Sequence, residues 1–570
     1  MIGRVRANTQ RETLMRRSRR AFHLGCVLLT VFSARIVEAQ RATPTDTTSR
    51  SIDHVFDAWR GTESPGCALG VSRNGRVVYE HGYGMANLET GTPITPASIF
   101  HVASVSKQFT AMAIMLLARD GKLSIDDNIR KYLPEIPDYG TPITIRHLLT
   151  HTSGLRDQWE LIALARGRFE EDRITEADVM DIIPRQTALN FTPGSEYIYS
   201  NTGFTLLGVI VKRVSGQSLR DFADERIFKP LGMTNTHFHD DYTMLVPGRT
   251  SAYATRAGAW HVSIPNYDTY GATSLFTTVG DLLKWETNLD TPVVGDRTII
   301  ARMETPTPLT GGDTSNYGFG LAIDRYRGTR VVGHGGADAG YRTDVARFPE
   351  LGLATVVLCN AASANPGLLS RRVADIYLAN SLSPIPAVVT PQGIAVSTDQ
   401  LQRRAGVYIQ PRTMSVVEFV MREGRLMFGR QGNASLLPVT DNRMRVSNRP
   451  GEIVFPDGEA SGFDLMPPAG RPIHFERRPS VVVTPQLLAS YAGEYVSDEL
   501  GGAVYRVTAS DSTLSLRTGT SDPMSARLVF ADTFLGGDYT VQFTRARGQV
   551  NGFEVTNGRI RHVKFVRRKP

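Results

Sequence analysis

The feature that most limits how this chain can fold is a self-similarity in its C-terminal part. Gln400-Leu401, Ala405-Gly406 and Tyr408 match Gln486-Leu487, Ala492-Gly493 and Tyr495. Further on, Leu426, Phe455, Gly462-Phe463, Phe475 and Arg477-Arg478 match Leu514, Phe543, Gly552-Phe553, Phe565 and Arg567-Arg568. The shift of roughly ninety residues is too long for a solenoid unit and suits a small domain. Stretches such as Ala503-Val-Tyr-Arg-Val507 and Tyr539-Thr-Val-Gln-Phe543 alternate as strands do. Both copies are therefore expected to be all-β, as small barrels. A chain of 570 residues exceeds what one core fills. The expected division is a leader at 1–39, a large domain at 40–381, a Pro-rich linker at 382–397 and two β domains at 398–480 and 481–570.

Ahead of the repeat, the pattern changes twice. Cys67–Val71 and Val77–Gly82 read as strands joined at Asn74-Gly75, a strong hairpin signal. From Lys122 to about Leu289 the pattern is mostly helical, with Ile143–Leu149 and Thr205–Lys212 its clearest apolar segments. Strands return at Tyr317–Ile323, Arg330–His334, Asp344–Phe348 and Thr355–Cys359. Strands, helices and strands in that order imply an α+β domain, an antiparallel sheet built from both ends of the segment with the helices inserted between.

Three clusters in this domain carry chemistry. Phe100–Arg119 reads as a buried helix with Ser104 and Lys107 in its first turn. Spaced at i and i+3, the two lie on one face. A lysine desolvated by an apolar helix has a lowered pKa and can take a proton from a serine, which is a weak nucleophile without such help. The helix start also offers the Ser104 amide to an oxyanion. In Tyr197-Ile-Tyr-Ser-Asn-Thr-Gly203, Tyr199 supplies a phenol for proton transfer and Asn201 an amide for Lys107 and substrate. In Gly333-His-Gly-Gly-Ala-Asp338, Gly335 and Gly336 would let substrate backbone approach a strand edge.

Their order resembles the penicillin-recognising serine hydrolases: class C β-lactamases, DD-carboxypeptidases, and related esterases and D-aminopeptidases. The resemblance covers roughly Ser51–Ser381 and includes Leu149-Thr-His-Thr-Ser-Gly-Leu155 and Phe276–Trp285 as connecting segments. It implies that Ser104 attacks a carbonyl and that Lys107 with Tyr199 takes its proton. Tyr199 would then protonate the leaving group and activate water, with Asn201 orienting, and no metal or cofactor is implied. The oxyanion would lie between the amides of Ser104 and Ala337. At His334, β-lactamases of this kind usually carry lysine. Histidine there leans toward the D-aminopeptidase and esterase branch, whose D-aminopeptidases resemble a catalytic domain followed by two lipocalin-like barrels. An unperturbed His334 would lose its charge through about pH 6.5 and release anionic substrates with it.

The expected function is an exported serine hydrolase acting on an amide or ester bond of a small peptide-like substrate. A β-lactamase, or a catalytically silent penicillin-binding or sensor protein using its barrels for a partner, are the alternatives. Peptidoglycan fragments are possible substrates. The formal charge of +8 is modest, and the body carries no basic run before Arg567-Arg568-Lys569, which argues against nucleic acid. Arginines up to Arg20, the apolar run Leu24–Ala34 and Val37-Glu-Ala39 before Gln40 have the order of an export signal, by a Sec or twin-arginine route. That run is too short for a stable span. Periplasmic or secreted location follows. Cys67 and Cys359, both in strand-like stretches, are read as buried thiols in preference to a disulfide.

Overall fold

The Asn74-Gly75 signal seeds the main sheet. Both residues take positive φ, 50° and 73°, and join β1 (Cys67–Arg73) to β2 (Arg76–Tyr83). The structure is a computed structural model describing residues 46–569, except 169–170, 385–392, 430–433, 448–450, 457–460, 468–470 and 520. The export signal expected at 1–39 lies outside the described residues. Among those residues, no helix is long and apolar enough to cross a membrane.

The returning strands are β3 (Ala322–Tyr326), β4 (Thr329–Asp338), β5 (Tyr341–Phe348) and β6 (Leu353–Cys359). They complete a six-stranded sheet in the order β3-β4-β5-β6-β1-β2. All neighbouring pairs are antiparallel, as a sheet built from both ends of one segment predicts. The strand expected from Tyr317 starts only at Ala322. Before it, Gly320 lies so close to the Lys107 carbonyl that a Cβ there would approach it to 2.7 Å.

Every residue of β6 is buried, because helices cover both faces of the sheet. Named in chain order, these and the inserted helices are α1 (Asp46–Val55), α2 (Ser106–Arg119), α3 (Gln158–Arg166), α4 (Asn201–Ser215), α5 (Val279–Asp290) and α6 (Pro366–Tyr377). On one face, Leu69, Val71 and Val357 pack with Ile52 of α1 and Leu369 and Val373 of α6. On the other, Ala68, Val356 and Leu358 join Leu282 and Leu283 of α5 and the inserted helices. Cys67 and Cys359 are register partners on β1 and β6 and form a disulfide. This corrects the expectation of free thiols: sequence shows two apolar strands, and only their pairing shows that the two sulfurs meet.

The repeated segments form two closed eight-stranded antiparallel barrels, Gly406–Arg477 and Gly493–Arg567. The matching residues do matching work. The Tyr408 hydroxyl donates to the Arg404 carbonyl at 2.9 Å and that of Tyr495 to the Tyr491 carbonyl at 2.7 Å. Phe463 stacks on Phe475 at 4.7 Å, and Phe553 on Phe565 at 4.4 Å. Aromatic side chains thus pack the interior of each barrel, as small barrels permit. The first barrel has its own apolar core, including Tyr408, Phe419 and Phe455. The second does not stand apart: Leu488, Tyr495, Phe543 and Phe553 belong to the same continuous core as α2 and α4. The described residues belong to one compact unit, Ala42–Pro570.

Candidate active site

Ser104 sits in a short 3-10 turn, Ala103–Val105, that feeds directly into α2. Ala103, immediately before it, takes φ 48°, a left-handed conformation costly for a residue with a Cβ. The turn is locked from two sides. Ser106 Oγ donates to the Ala103 carbonyl at 2.5 Å and accepts the Leu275 amide at 3.0 Å. Thr343 Oγ1 of β5 donates to the Val102 carbonyl at 3.1 Å. The neighbours of Ser104 are buried while Ser104 itself is half-buried, so the hydroxyl stands at the surface of the core.

Lys107, one helical turn on, is fully buried. Its Nζ donates to Ser104 Oγ at 2.9 Å, Asn201 Oδ1 at 2.9 Å and the Ala272 carbonyl at 2.6 Å. Burial lowers its pKa to about 7, the carboxylates of Asp338 and Asp157 opposing and Arg559 assisting. Burying an amine is costly. The fully buried Phe109, Met112 and Ile114 of the same helix each contribute about 1.5–3 kcal/mol by burial and hold it there.

Tyr199, on the segment entering α4, faces Ser104. Burial raises its phenol well above the ordinary value, and the Ser104 hydroxyl opposes the rise. It is therefore a neutral donor at neutral pH, not a phenolate. Asn201, at the start of α4, holds Lys107 with its amide, as the sequence led one to expect, and also has a second partner. Oδ1 accepts from Lys107, while Nδ2 and the backbone amide donate to Asp157 Oδ2 at 3.0 and 2.6 Å. It holds the lysine and is itself held by Asp157, the N-cap of α3.

β4 supplies the facing wall. Its pairing with β3 ends at Gly333 opposite Ala322, whereas its pairing with β5 continues through Asp338. Gly335–Asp338 thus forms an open sheet edge against the Ser104 turn, with Gly335 and Ala337 exposed. The two glycines differ in role. A Cβ on Gly336 would come within 2.4 Å of the Val102 carbonyl and 3.1 Å of Ala103 Cβ, whereas one on Gly335 meets nothing closer than 3.6 Å. The absence of a side chain at Gly336 is what lets the strand reach the Ser104 turn. Gly336→Ala should therefore push β4 off the turn and lower kcat/KM by up to about a hundredfold, while Gly335→Ala should change it little. Steady-state kinetics on one ester compares them, and equal effects would contradict this packing.

His334 corrects a second expectation. It is buried at 8% exposure, its Nδ1 donates to the Gly335 carbonyl at 2.5 Å and its Nε2 accepts the Tyr317 hydroxyl at 2.9 Å. Burial, with the Lys107 charge adding, lowers its pKa to about 4. The ring is neutral at physiological pH and supplies no switchable cation. Burial by Tyr317 and Tyr199 cannot be read from a Gly-His-Gly-Gly string.

Several residues of the site carry no signal of their own in the sequence. Asp157 braces Asn201. His151, φ 56°, accepts the Ser200 amide on Nδ1 at 3.2 Å and lies 4.2 Å from the Tyr199 ring. Asp338 bonds His101 Nε2 at 2.8 Å and also accepts the Thr273 hydroxyl. Arg559, from the second barrel, lies 5.5 Å over the Tyr199 ring. His151 falls in the connecting stretch Leu149–Leu155 and Asp338 at the end of Gly333–Asp338, whereas Asp157 and Arg559 belong to no motif.

A family model described as Beta-lactamase matches residues 52–379. A D-aminopeptidase of Brucella anthropi is 29% identical over 309 residues, 54% of this chain and 58% of that protein. A D-aminopeptidase of Brucella canis is 30% identical over 298 residues, 52% of this chain and 57% of that protein. The chain thus spans a little under three fifths of the length of these relatives. Among solved structures, the octameric penicillin-binding protein homologue from Pyrococcus abyssi shares the fold, with 24% identity, TM-score 0.54 and coverage of 75% of this chain and 99% of that one. A penicillin-binding protein from Bacillus halodurans is 25% identical, with TM-score 0.50 and coverage of 58% and 98%. Since the family match takes in more than half of the chain and spans Ser104, Lys107, Tyr199 and the β4 edge, this protein belongs to the beta-lactamase family.

Proposed function

We propose that the protein forms an acyl-enzyme on Ser104 and hydrolyses an amide or ester bond of a small peptide-like substrate, as a D-aminopeptidase, DD-peptidase or esterase does. The observation that carries this reading is Lys107 Nζ at 2.9 Å from Ser104 Oγ with its pKa lowered to about 7. At neutral pH about half of the amine is free to accept a proton. Ser104 Oγ attacks the carbonyl carbon as its proton passes to Lys107, and the oxyanion lies between the Ser104 and Ala337 amides. The bond to the leaving nitrogen or oxygen breaks as Tyr199 donates its proton to that atom, and the proton held by Lys107 goes back to the Tyr199 oxygen. Water then attacks the acyl carbon, its proton returning along the same groups, and Ser104 is freed.

The test is labelling with a fluorophosphonate and a fluorescent penicillin, followed by turnover of p-nitrophenyl acetate, D-alanyl p-nitroanilide and nitrocefin. Label on Ser104 with turnover of ester or anilide is expected. Persistent label without turnover would leave a sensor, and nitrocefin turnover alone a β-lactamase. The reading extends to location. A buried disulfide persists in an oxidising compartment, and the Cys67–Cys359 bond supports export to the periplasm or beyond, where peptidoglycan fragments are available substrates.

The pH profile has a definite sign. Protonated Lys107 cannot accept a proton, so kcat/KM for a neutral ester should fall about tenfold per pH unit below about 7 and level off above it. His334, at about 4, stays neutral across that range and adds no step near 6.5. A flat profile between pH 5 and 8 would place the base elsewhere.

A further inference from the structure

A second hollow adjoins the part of the catalytic wall made by His151 and Tyr317. Thr307 Oγ1 donates to the Tyr317 carbonyl at 2.7 Å, and Thr152 follows His151 in the chain. Both threonines line a cavity of about 400 Å³, and none of Ser104, Lys107, Tyr199 and His334 lines it. Its walls include the short helix Ile145–Leu149, the end of the helix Arg297–Met303 and the hairpin of the strands Thr307–Pro308 and Thr314–Ser315. The Thr310 amide of that hairpin donates to the Gly194 carbonyl at 3.0 Å, and the Gly194 amide to the Thr152 carbonyl at 2.8 Å. Hairpin, Gly194 and Thr152 are thus tied in series.

The lining is cationic. Two arginines, one histidine and five threonines face the cavity, and no aspartate or glutamate does. His147 Nδ1 accepts the Thr144 amide at 3.2 Å as half of a capping box, so in the neutral ring the proton is on Nε2. Burial, with the Arg146 charge adding, lowers its pKa, and the ring is neutral at physiological pH. Nε2 faces Gly194 and Thr310: a Cβ on Gly194 would stand 3.5 Å from Nε2 and 3.5 Å from Thr310 Cγ2. Arg146 is engaged, donating to both oxygens of Asp126 at 2.8 and 3.0 Å. The Asp126 carboxyl is lowered chiefly by that contact and only secondarily by Arg302. Among the described residues, His147 Nε2, the Thr310 hydroxyl and the Arg302 guanidinium have no hydrogen-bond or ion-pair partner.

A guanidinium without a counter-charge, a ring N–H and a hydroxyl, all on one cavity, are the donors of an oxyanion site. They come from three different elements, which suits the tetrahedral oxygens of a phosphoryl group better than the flat fork of a carboxylate. Pro306, Pro308 and Phe319 add apolar wall, and the volume is that of a small-molecule pocket, more than a bare phosphate fills. We propose that this cavity binds a small organic phosphate, its phosphoryl group held by Arg302, His147 Nε2 and the Thr310 hydroxyl and its body lying against Pro306, Pro308 and Phe319. The site is separate from the acyl site and stands whether or not Ser104 is the nucleophile. Its occupant lies one hydrogen bond, Thr307 to the Tyr317 carbonyl, from the residue whose hydroxyl donates to His334.

The deciding measurement is isothermal titration calorimetry of the full chain with phenyl phosphate, inorganic phosphate, benzoate and phenol. Phenyl phosphate should bind as a single equivalent and about tenfold or more tighter than each of the others, because each lacks part of what the cavity offers. Arg302→Met should weaken it roughly ten- to hundredfold, and Arg302→Lys by less. His147→Glu should abolish it. A glutamate at this position still completes the capping box with Thr144, so the helix is kept while a carboxylate replaces the N–H donor. Arg302 is exposed, so its substitution tests the site without disturbing the core. Absence of binding, benzoate or phenol binding as tightly as phenyl phosphate, or wild-type affinity in either Arg302→Met or His147→Glu overturns the proposal. Inorganic phosphate binding as tightly as phenyl phosphate overturns it too, since the apolar wall would then contribute nothing.

Discussion

Ser104→Ala and Lys107→Ala should each lower kcat by about a thousandfold or more, and the double variant should lose little beyond either single one. The reason is geometric. Lys107 Nζ is held by Ser104, Asn201 and the Ala272 carbonyl, so the proposed nucleophile and base share one network. Lys107→Arg separates charge from basicity. A guanidinium keeps the positive charge but cannot give up its proton near neutral pH, so it should restore nothing. Steady-state ester hydrolysis, with circular dichroism to verify folding, decides the matter. Losses that add in the double variant, or an active Lys107→Arg, would show that Ser104 is activated by another group.

The parts of this site that were legible in the sequence are those fixed by local periodicity. Ser104 and Lys107 meet because residues three apart share a helix face, and Tyr199 and Asn201 lie together where one segment enters α4. An antiparallel sheet was legible for the same kind of reason: Asn74-Gly75 sets one hairpin, and strand patterns at both ends of the segment supply the rest. Electrostatics was not. A histidine in His334-Gly-Gly looks like a titratable ligand, but its state depends on Tyr317 and the Gly335 carbonyl, which only the folded sheet brings to its two nitrogens. The role of Gly336 likewise depends on Val102, more than two hundred positions away in the chain. Arg559 is the extreme case. The repeat located its barrel, but nothing in a repeat tells which hairpin loop of which copy meets another domain.

Arg156→Met should be the most destabilising single change outside the reacting groups, by about 3–5 kcal/mol, because it leaves a buried carboxylate without its counter-charge. Arg156 is 2% exposed, and its guanidinium bonds Glu499 at 2.8 Å, Gln186 at 2.9 Å and the carbonyls of Arg561 and His562 at 3.0 Å. Glu499, 5% exposed, also accepts the Thr187 amide and hydroxyl and the Lys564 amide. Burial alone would raise the Glu499 carboxyl, but Arg156 and these donors hold it below its usual range. In the wild type, the stability it contributes is present above the unfolded value of about 4.3 and is lost as pH falls through the lower folded value. With Arg156 gone, the burial effect is opposed only by the remaining donors, so the deficit should be largest near pH 7 and shrink toward pH 4 as Glu499 takes up a proton. Denaturant midpoints followed by tryptophan fluorescence at the two pH values measure both quantities. Replacing the pair together, Arg156→Met with Glu499→Leu, should recover part of the loss, since an apolar pair has no charge to desolvate. A single variant as stable as wild type would mean that water reaches this contact. The second barrel would then be only loosely seated, and Asp157, which follows Arg156 in the chain, would brace Asn201 without help from it.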